Sequence, residues 1–329
     1  MNNKALFNIQ ASLINMIHKN DQSNSKIFAH TYSIVARDPK TGEMGVGVQS
    51  HWFSVGTIVS WGEAGTGVVA TQSLVNVSFG LRGLELLKQG KSPQKAIEIL
   101  LSDDDGRDLR QVAILDTQGR VATHTGSKCI KYAGHAVGDN FSVQANMMFC
   151  DKVWPTMKKA YEKHNRLPLP ERIIKCLEAA ESVGGDIRGK QSAALLIVSG
   201  EAPENKWEDP MIDLRVEDHI EPLKEISRLL KVWRAYEHMN NGDLAIEHRD
   251  MGEALKEYNA AMEMFPENLE MKYWTAISLA NNNRLNDALV LFNQIFKKDK
   301  NWRLLTERLT EVGILNIKED ELEKIMTLN

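Results

Sequence analysis

The stretch Thr31 to Gln72, TYSIVARDPKTGEMGVGVQSHWFSVGTIVSWGEAGTGVVATQ, carries the pattern from which the fold is read. Tyr32 to Arg37 joins β-branched and aromatic residues into a strand, and Asp38-Pro39-Lys40-Thr41-Gly42 is a turn with Pro and Gly where their backbones fit. Met44 to Gln49 resumes as a strand, so the two make a hairpin. Runs Val55 to Trp61 and Gly67 to Thr71 follow as further strands after short Gly-containing breaks. Small residues, among them Gly45, Gly47, Gly62, Gly65, Gly67 and Ala70, stand where an ordinary sheet carries bulk. Glycine weakens a strand unless something must come close to its backbone.

Downstream, Asn76 to Gly90 sets Phe79, Leu84 and Leu87 on one helical face and stops at Gly90, and Ser92-Pro93 opens another helix through Leu101. Two helices therefore cover one face of a sheet. Asp103 to Gly106 reads as a solvated turn, because no liganding Glu follows at the spacing of a calcium loop. Arg110 to Leu115, the turn Asp116 to Gly119 and Arg120 to Thr125 form a second hairpin, and Phe141 to Met148 is a further strand. Asp151 is expected to cap a helix running to about His164, and Glu171 to Val183 a second helix ended by Gly184-Gly185. Gln191 to Val198 is a near-continuous apolar run, the mark of a strand buried on both faces. Strands then helices, twice over, predict two sheets with helices outside.

Residues 5 to 18 place Leu6, Ile9, Leu13, Ile14 and Ile17 at helical spacing, followed by the polar tether Asn20 to Ser25. From about Glu221 the pattern is helical throughout. Tyr273 to Asp299 spaces Ala276, Leu279, Ala288, Phe292 and Ile295 like a tetratricopeptide helix pair, and Glu253 to Asn268 repeats its second half with Ala254, Tyr258, Ala261 and Pro266. Ala254 and Ala288 are one repeat of about 34 residues apart. About two repeats fit, which makes a short helical module.

At 329 residues, 43% hydrophobic and 26% charged, the chain is an ordinary globular length and composition. A net charge of -4, with no Lys/Arg cluster interleaved with aromatics, argues against nucleic acid. Cys129, Cys150 and Cys176 are an odd number at wide spacing, without a CxxC pair, which suggests neither a zinc site nor a disulfide framework. No apolar run of about 18 residues exists, and the first 30 residues lack a secretory signal's apolar core, so neither membrane nor export is expected and the cytoplasm is the default location.

TYSIVARDPKTGEMGVGVQS, GTGVVATQSLVN, GRDLRQVAILDTQGRVATHTG, FSVQANMM, GGDIRGKQSAALLIV and DLRVEDH occur in that order, and over about residues 29 to 225 the chain resembles the family known as domain of unknown function 1028. That family is grouped with the N-terminal-nucleophile (Ntn) hydrolases. The resemblance implies an α+β fold, a four-layer αββα sandwich, whose catalytic Thr, Ser or Cys opens the first strand. Thr31 holds that position here. The expected organisation is an N-terminal extension or propeptide over 1–28, an Ntn-like domain over 29–225 and a tetratricopeptide-like helical domain over 226–329. The implied activity is hydrolysis of a small amide or peptide-like bond without a cofactor. A catalytically silent module, binding a ligand or a protein partner through its cleft and helical tail, is the alternative, and either form is compatible with a homo-oligomer.

In an Ntn hydrolase the free α-amine of the first residue is the general base for its own side chain, and such an amine titrates at about 7.7 to 8.0. Thirty residues precede Thr31, so its amine must first be released. Otherwise Thr31 is an ordinary strand residue. Ser33 shares the face of Thr31 and is the second nucleophile candidate. Ser50 and His51, across the hairpin, could orient or protonate. Gln72, Asn76 and Asn146 are neutral amides at strand ends, suited to a developing oxyanion, with Asn146 first among them. Asp186 and Arg188 lie on a Gly-rich loop, where Arg188 either clamps a substrate carboxylate or pairs internally with Asp186 or Asp213. Asp213 to His219, with His51, His124 and His135, raises a metal-dependent hydrolase, but no HxH or HxxxH spacing supports it and no metal is expected.

Overall fold

The computed structural model describes residues 28–29 and 31–328. The helix expected over residues 5 to 18 lies outside them. The described residues fall into two compact units that divide between Ser227 and Arg228.

The first unit contains β1 (Phe28–Ala29), β2 (Thr31–Arg37), β3 (Met44–Ser50), α1 (Gly56–Val59), β4 (Ser60–Glu63), β5 (Gly67–Leu74), α2 (Ser78–Lys88), α3 (Pro93–Ser102), β6 (Arg110–Asp116), β7 (Val121–Thr125), β8 (Gly134–Gly138), β9 (Phe141–Ala145), α4 (Val153–Lys163), α5 (Leu169–Glu181), β10 (Ser192–Val198) and β11 (Ile212–Val216). All strand pairs are antiparallel. One sheet runs β1-β5-β6-β7, with β4 also on β5, and the other runs β11-β10-β3-β2-β9-β8. The chain changes sheet between Ala29, opposite Ser73, and Thr31, opposite Ser50.

The predicted hairpin forms as β2 and β3. Its turn is closed by Gly42 at φ +81, whose N–H donates to the Asp38 carbonyl at 2.9 Å. Alternate residues of each strand face the other sheet. Val35, Val46, Val48, Val68, Ala70, Ala113, Leu115, Ala194 and Leu196 thereby make one apolar layer between the sheets. On the outer face of the first sheet, Val69, Val112 and Ile114 meet Phe79, Leu84 and Leu87 of α2 and Ile97 and Leu100 of α3. Against the second sheet, α5 comes so close to β3 that a Cβ on Gly47 would lie 2.2 Å from Ile173 Cγ2, and one on Gly45 2.8 Å from Ile173 Cδ1. The small residues of β3 are the space α5 occupies.

Several expectations are corrected. Val55 to Trp61 is not a strand: its first part coils into α1, where Gly56 packs against Ala194, and only Ser60–Glu63 is extended. β9 ends at Ala145, not Met148, because Met147 takes a left-handed backbone at φ 60. The helix after Asp151 begins at Val153 without a side-chain cap. Gly134–Gly138 and Ile212–Val216 are strands at sheet edges.

The helical region contains α6 (Pro222–Glu247), α7 (Met251–Met264), α8 (Leu269–Asn281), α9 (Leu285–Lys298), α10 (Asn301–Glu311) and α11 (Glu319–Met326). Asp250 and Asn268 cap α7 and α8 through their side chains. Ala254 and Ala288 are both fully buried. Tyr273, Phe292, Phe296 and Ile325 centre one core cluster, and Ala254, Tyr258 and Met271 another. Among the described residues no helix is long and apolar enough to cross a membrane.

Candidate functional site

Following each inward strand register toward Thr31, the layer between the sheets turns from apolar to polar. In β2 it runs Val35, Ser33, Thr31; in β3 Val46, Val48, Ser50; in β5 Val68, Ala70, Gln72; in β6 Leu115, Ala113, Gln111; and Ser142 and Gln144 of β9 complete it. All of the polar members are fully buried. Buried amides and hydroxyls need partners, and here they find one another.

Ser33 Oγ donates to Gln72 Oε1 at 2.7 Å and accepts from Gln144 Nε2 at 2.7 Å. Gln72 Nε2 donates to Gln111 Oε1 at 2.6 Å, and Asn146 Nδ2 donates to the same oxygen at 2.9 Å. With its oxygen thus fixed, Gln111 turns Nε2 toward Thr125 Oγ1 at 2.8 Å and the Ala145 carbonyl at 3.0 Å. The chain continues outward from Gln144 through Ser142 to Thr123.

Three N–H donors converge on the Thr31 carbonyl: the Asn146 backbone at 3.1 Å, Gln72 Nε2 at 3.3 Å and Asn146 Nδ2 at 3.4 Å. Two of the three amides singled out from sequence therefore meet at Thr31. The third, Asn76, does something else: its Oδ1 accepts from the backbone and hydroxyl of Ser78 at the start of α2. Ser73 and Met147, directly after Gln72 and Asn146, have left-handed backbones at φ 75 and φ 60.

The opposite face of the same strands carries charge. Tyr32 Oη donates to Glu181 Oε1 at 2.5 Å, and the Gln49 amide nitrogen, turned inward, donates to both. Burial, then the Glu181 charge, holds the Tyr32 hydroxyl well above its ordinary pKa. Burial likewise raises the Glu181 carboxyl. Asp186, its carboxylate shielded from solvent, is gripped by Arg188 through Nε at 3.0 Å and Nη2 at 2.7 Å, and receives the His51 N–H at 3.3 Å. Asp186 and Arg188 thus form the internal pair that orders the loop, while Asp213 pairs with Arg215. The His51 side chain is exposed at the end of β3, beside Gly189.

A cleft of about 490 Å³ opens beside this polar layer. Thr125, Cys129, Lys131, Tyr132, His135 and Trp154 line it. Burial pushes the Cys129 thiol up and, ahead of a smaller effect of His124, pushes His135 below the usual imidazole value. Thr125 Oγ1 contacts His135 Nδ1 at 2.8 Å, linking the cleft to Gln111. Sequence reasoning passed over Gln111, Gln144 and Thr125. Their signal was glutamine at inward positions of otherwise apolar strands.

The model of the Family of unknown function (DUF1028) matches residues 31–226. Among solved structures, the crystal structure of protein SPO2555 from Silicibacter pomeroyi, a DUF1028 protein, is similar at 28% sequence identity with a TM-score of 0.55, covering 62% of this chain and 88% of that one. No curated protein matches the chain.

Proposed function

We propose that this chain, which belongs to the Family of unknown function (DUF1028), is an Ntn-type amidohydrolase that cleaves a small amide or peptide-like bond through Thr31. One observation carries the reading: Thr31 opens a central strand at the polar end of two helix-flanked antiparallel sheets, and the amides of Gln72 and Asn146 converge on its backbone. The order of helices, sheet, sheet and helices supports a four-layer αββα sandwich.

Release of the amine comes first. Thr31 Oγ1 attacks the His30 carbonyl carbon, the Thr31 nitrogen leaves with the proton, and water hydrolyses the resulting ester. In turnover the α-amine takes the hydroxyl proton as Oγ1 attacks the substrate carbonyl. The C–N bond then breaks, the proton passes to the departing amine, and water cleaves the acyl ester. Asn146 and Gln72, which donate to the Thr31 carbonyl, hold the backbone of the nucleophile in place for each step.

A second reading, a silent binding module, is favoured by the register of Phe28 with Leu74 and Ala29 with Ser73, which ties the segment before Thr31 into a sheet. The buried Ala254 and Ala288 support a tetratricopeptide-like tail for a protein partner in either reading. Intact mass of the purified protein decides between the two. A species beginning at Thr31, absent in Thr31→Ala and partly kept in Thr31→Ser, supports hydrolysis; a folded protein that always keeps residues 1 to 30 moves the assignment to binding.

A further inference from the structure

The cleft beside the polar layer has a chemistry of its own. It is an open depression of about 490 Å³, with room for a small organic group on the surface. The described residues on its walls include a lysine and a histidine but no Asp or Glu. Trp154 reaches its wall because position 134 is glycine: a Cβ there would lie 2.6 Å from the indole ring. Tyr132 stands on the wall with it, and Lys131 Nζ lies 5.1 Å from the Tyr132 ring centroid.

The buried network also bears on which His135 nitrogen carries the proton. Gln111 Oε1 accepts from both Gln72 and Asn146, so Gln111 Nε2 is the atom that donates to Thr125 Oγ1. The Thr125 hydroxyl proton is then available to donate to His135 Nδ1 at 2.8 Å. In that arrangement the neutral imidazole carries its hydrogen on Nε2. The cleft thus offers an ammonium, an imidazole N–H and two aromatic walls, the complement of a carboxylate joined to a flat or apolar group.

We propose that this cleft binds the carboxylate end of an N-acyl amino acid or short peptide, with Lys131 and His135 Nε2–H as its anion donors and Trp154 against its side chain. The proposal deepens the amidohydrolase reading, since such a ligand carries an amide bond next to its carboxylate. It rests on that reading only for turnover. Hydrogen bonds run unbroken from His135 through Thr125, Gln111 and Asn146 to the Thr31 carbonyl, so carboxylate recognition and the nucleophile share one rigid framework.

Calorimetric titration of the full chain with N-acetylphenylalanine and with its carboxamide tests this. The acid is expected to bind about fivefold or more tightly than the carboxamide. Lys131→Gln removes that preference, and Lys131→Arg keeps it. Equal binding of acid and carboxamide, an unchanged preference in Lys131→Gln, or no binding at millimolar concentration overturns the proposal. The same titration on Thr31→Ala, which cannot turn over, keeps binding apart from chemistry: an intact acid preference there, alongside a wild-type chain that always keeps residues 1 to 30, leaves the cleft assigned while the hydrolase reading falls.

Discussion

Asn146 Nδ2 and Gln111 Oε1 are joined at 2.9 Å inside a polar layer with no exposure to solvent, and that same oxygen also holds Gln72. One amide therefore satisfies two buried donors while its nitrogen reaches three acceptors, Thr125 Oγ1 and the Gly134 and Ala145 carbonyls. Leucine at 111 fills the volume but takes away the acceptor that Gln72 Nε2 and Asn146 Nδ2 share and the donor that serves Thr125. Each stranded buried group costs about 1–3 kcal/mol, so Gln111→Leu is expected to lose about 3 kcal/mol or more. Urea denaturation followed by near-UV circular dichroism checks it. A midpoint equal to wild type would show that the network adds nothing to stability.

Gly47 faces α5 with no room for a methyl group: a Cβ there would sit 2.2 Å from Ile173 Cγ2 and 3.2 Å from Leu177 Cδ1. The Ile173 methyl is attached next to its backbone and cannot swing clear, so Gly47→Ala is expected to destabilise by about 1–3 kcal/mol. Combining it with Ile173→Val leaves that methyl in place and should not rescue, whereas Ile173→Ala opens the space. The double variant Gly47→Ala, Ile173→Ala should therefore fall short of the sum of its two singles. Simple additivity in thermal melts would refute the contact.

Glu181 has its carboxyl raised chiefly by burial, so the folded state prefers it protonated. The stability it contributes is fully present below the ordinary glutamate pKa and is lost as pH rises through the raised folded value. Glu181→Gln keeps an acceptor for Tyr32 and removes the titration. The difference in urea midpoint between variant and wild type should therefore grow in the variant's favour across that window and level off above it. A constant difference from acid to neutral pH would contradict the assignment.

The His135 tautomer can be read directly. In a long-range ¹H–¹⁵N spectrum at neutral pH its Nε2 should appear as the protonated nitrogen and Nδ1 as the bare acceptor, and Thr125→Val should relax that preference. Since burial lowers the His135 pKa, charging should set in only below the usual histidine range. A ring protonated on Nδ1 would reverse the Thr125–His135 hydrogen bond and overturn the assignment.

Much of this was legible in the chain. The β2–β3 hairpin shows because strand-forming residues flank a Pro/Gly turn, and β10 because its apolar run is long enough to be a strand buried on both faces. Val55 to Trp61 misled because Val, Thr and Ile favour strands, whereas a close fit of Gly56 against Ala194 holds the first part as a helical turn. β8 and β11 escaped notice as edge strands with few buried positions and little period. At the site, Thr31, Gln72 and Asn146 stood out as polar residues at strand ends. Gln111 and Gln144 did not, since a glutamine in a strand reveals its partners only when two sheets are laid face to face.

Ser73 and Met147 follow the two side chains that reach Thr31, and both hold a left-handed backbone that non-glycine residues adopt at a cost of roughly 1–3 kcal/mol. Both amides are thus aimed by spring-loaded joints. A glycine at either joint would relax the spring and leave the amide less firmly aimed. Laboratory evolution for heat resistance alone should accumulate changes at 73 and 147, and those survivors should be the ones that have let go of Thr31.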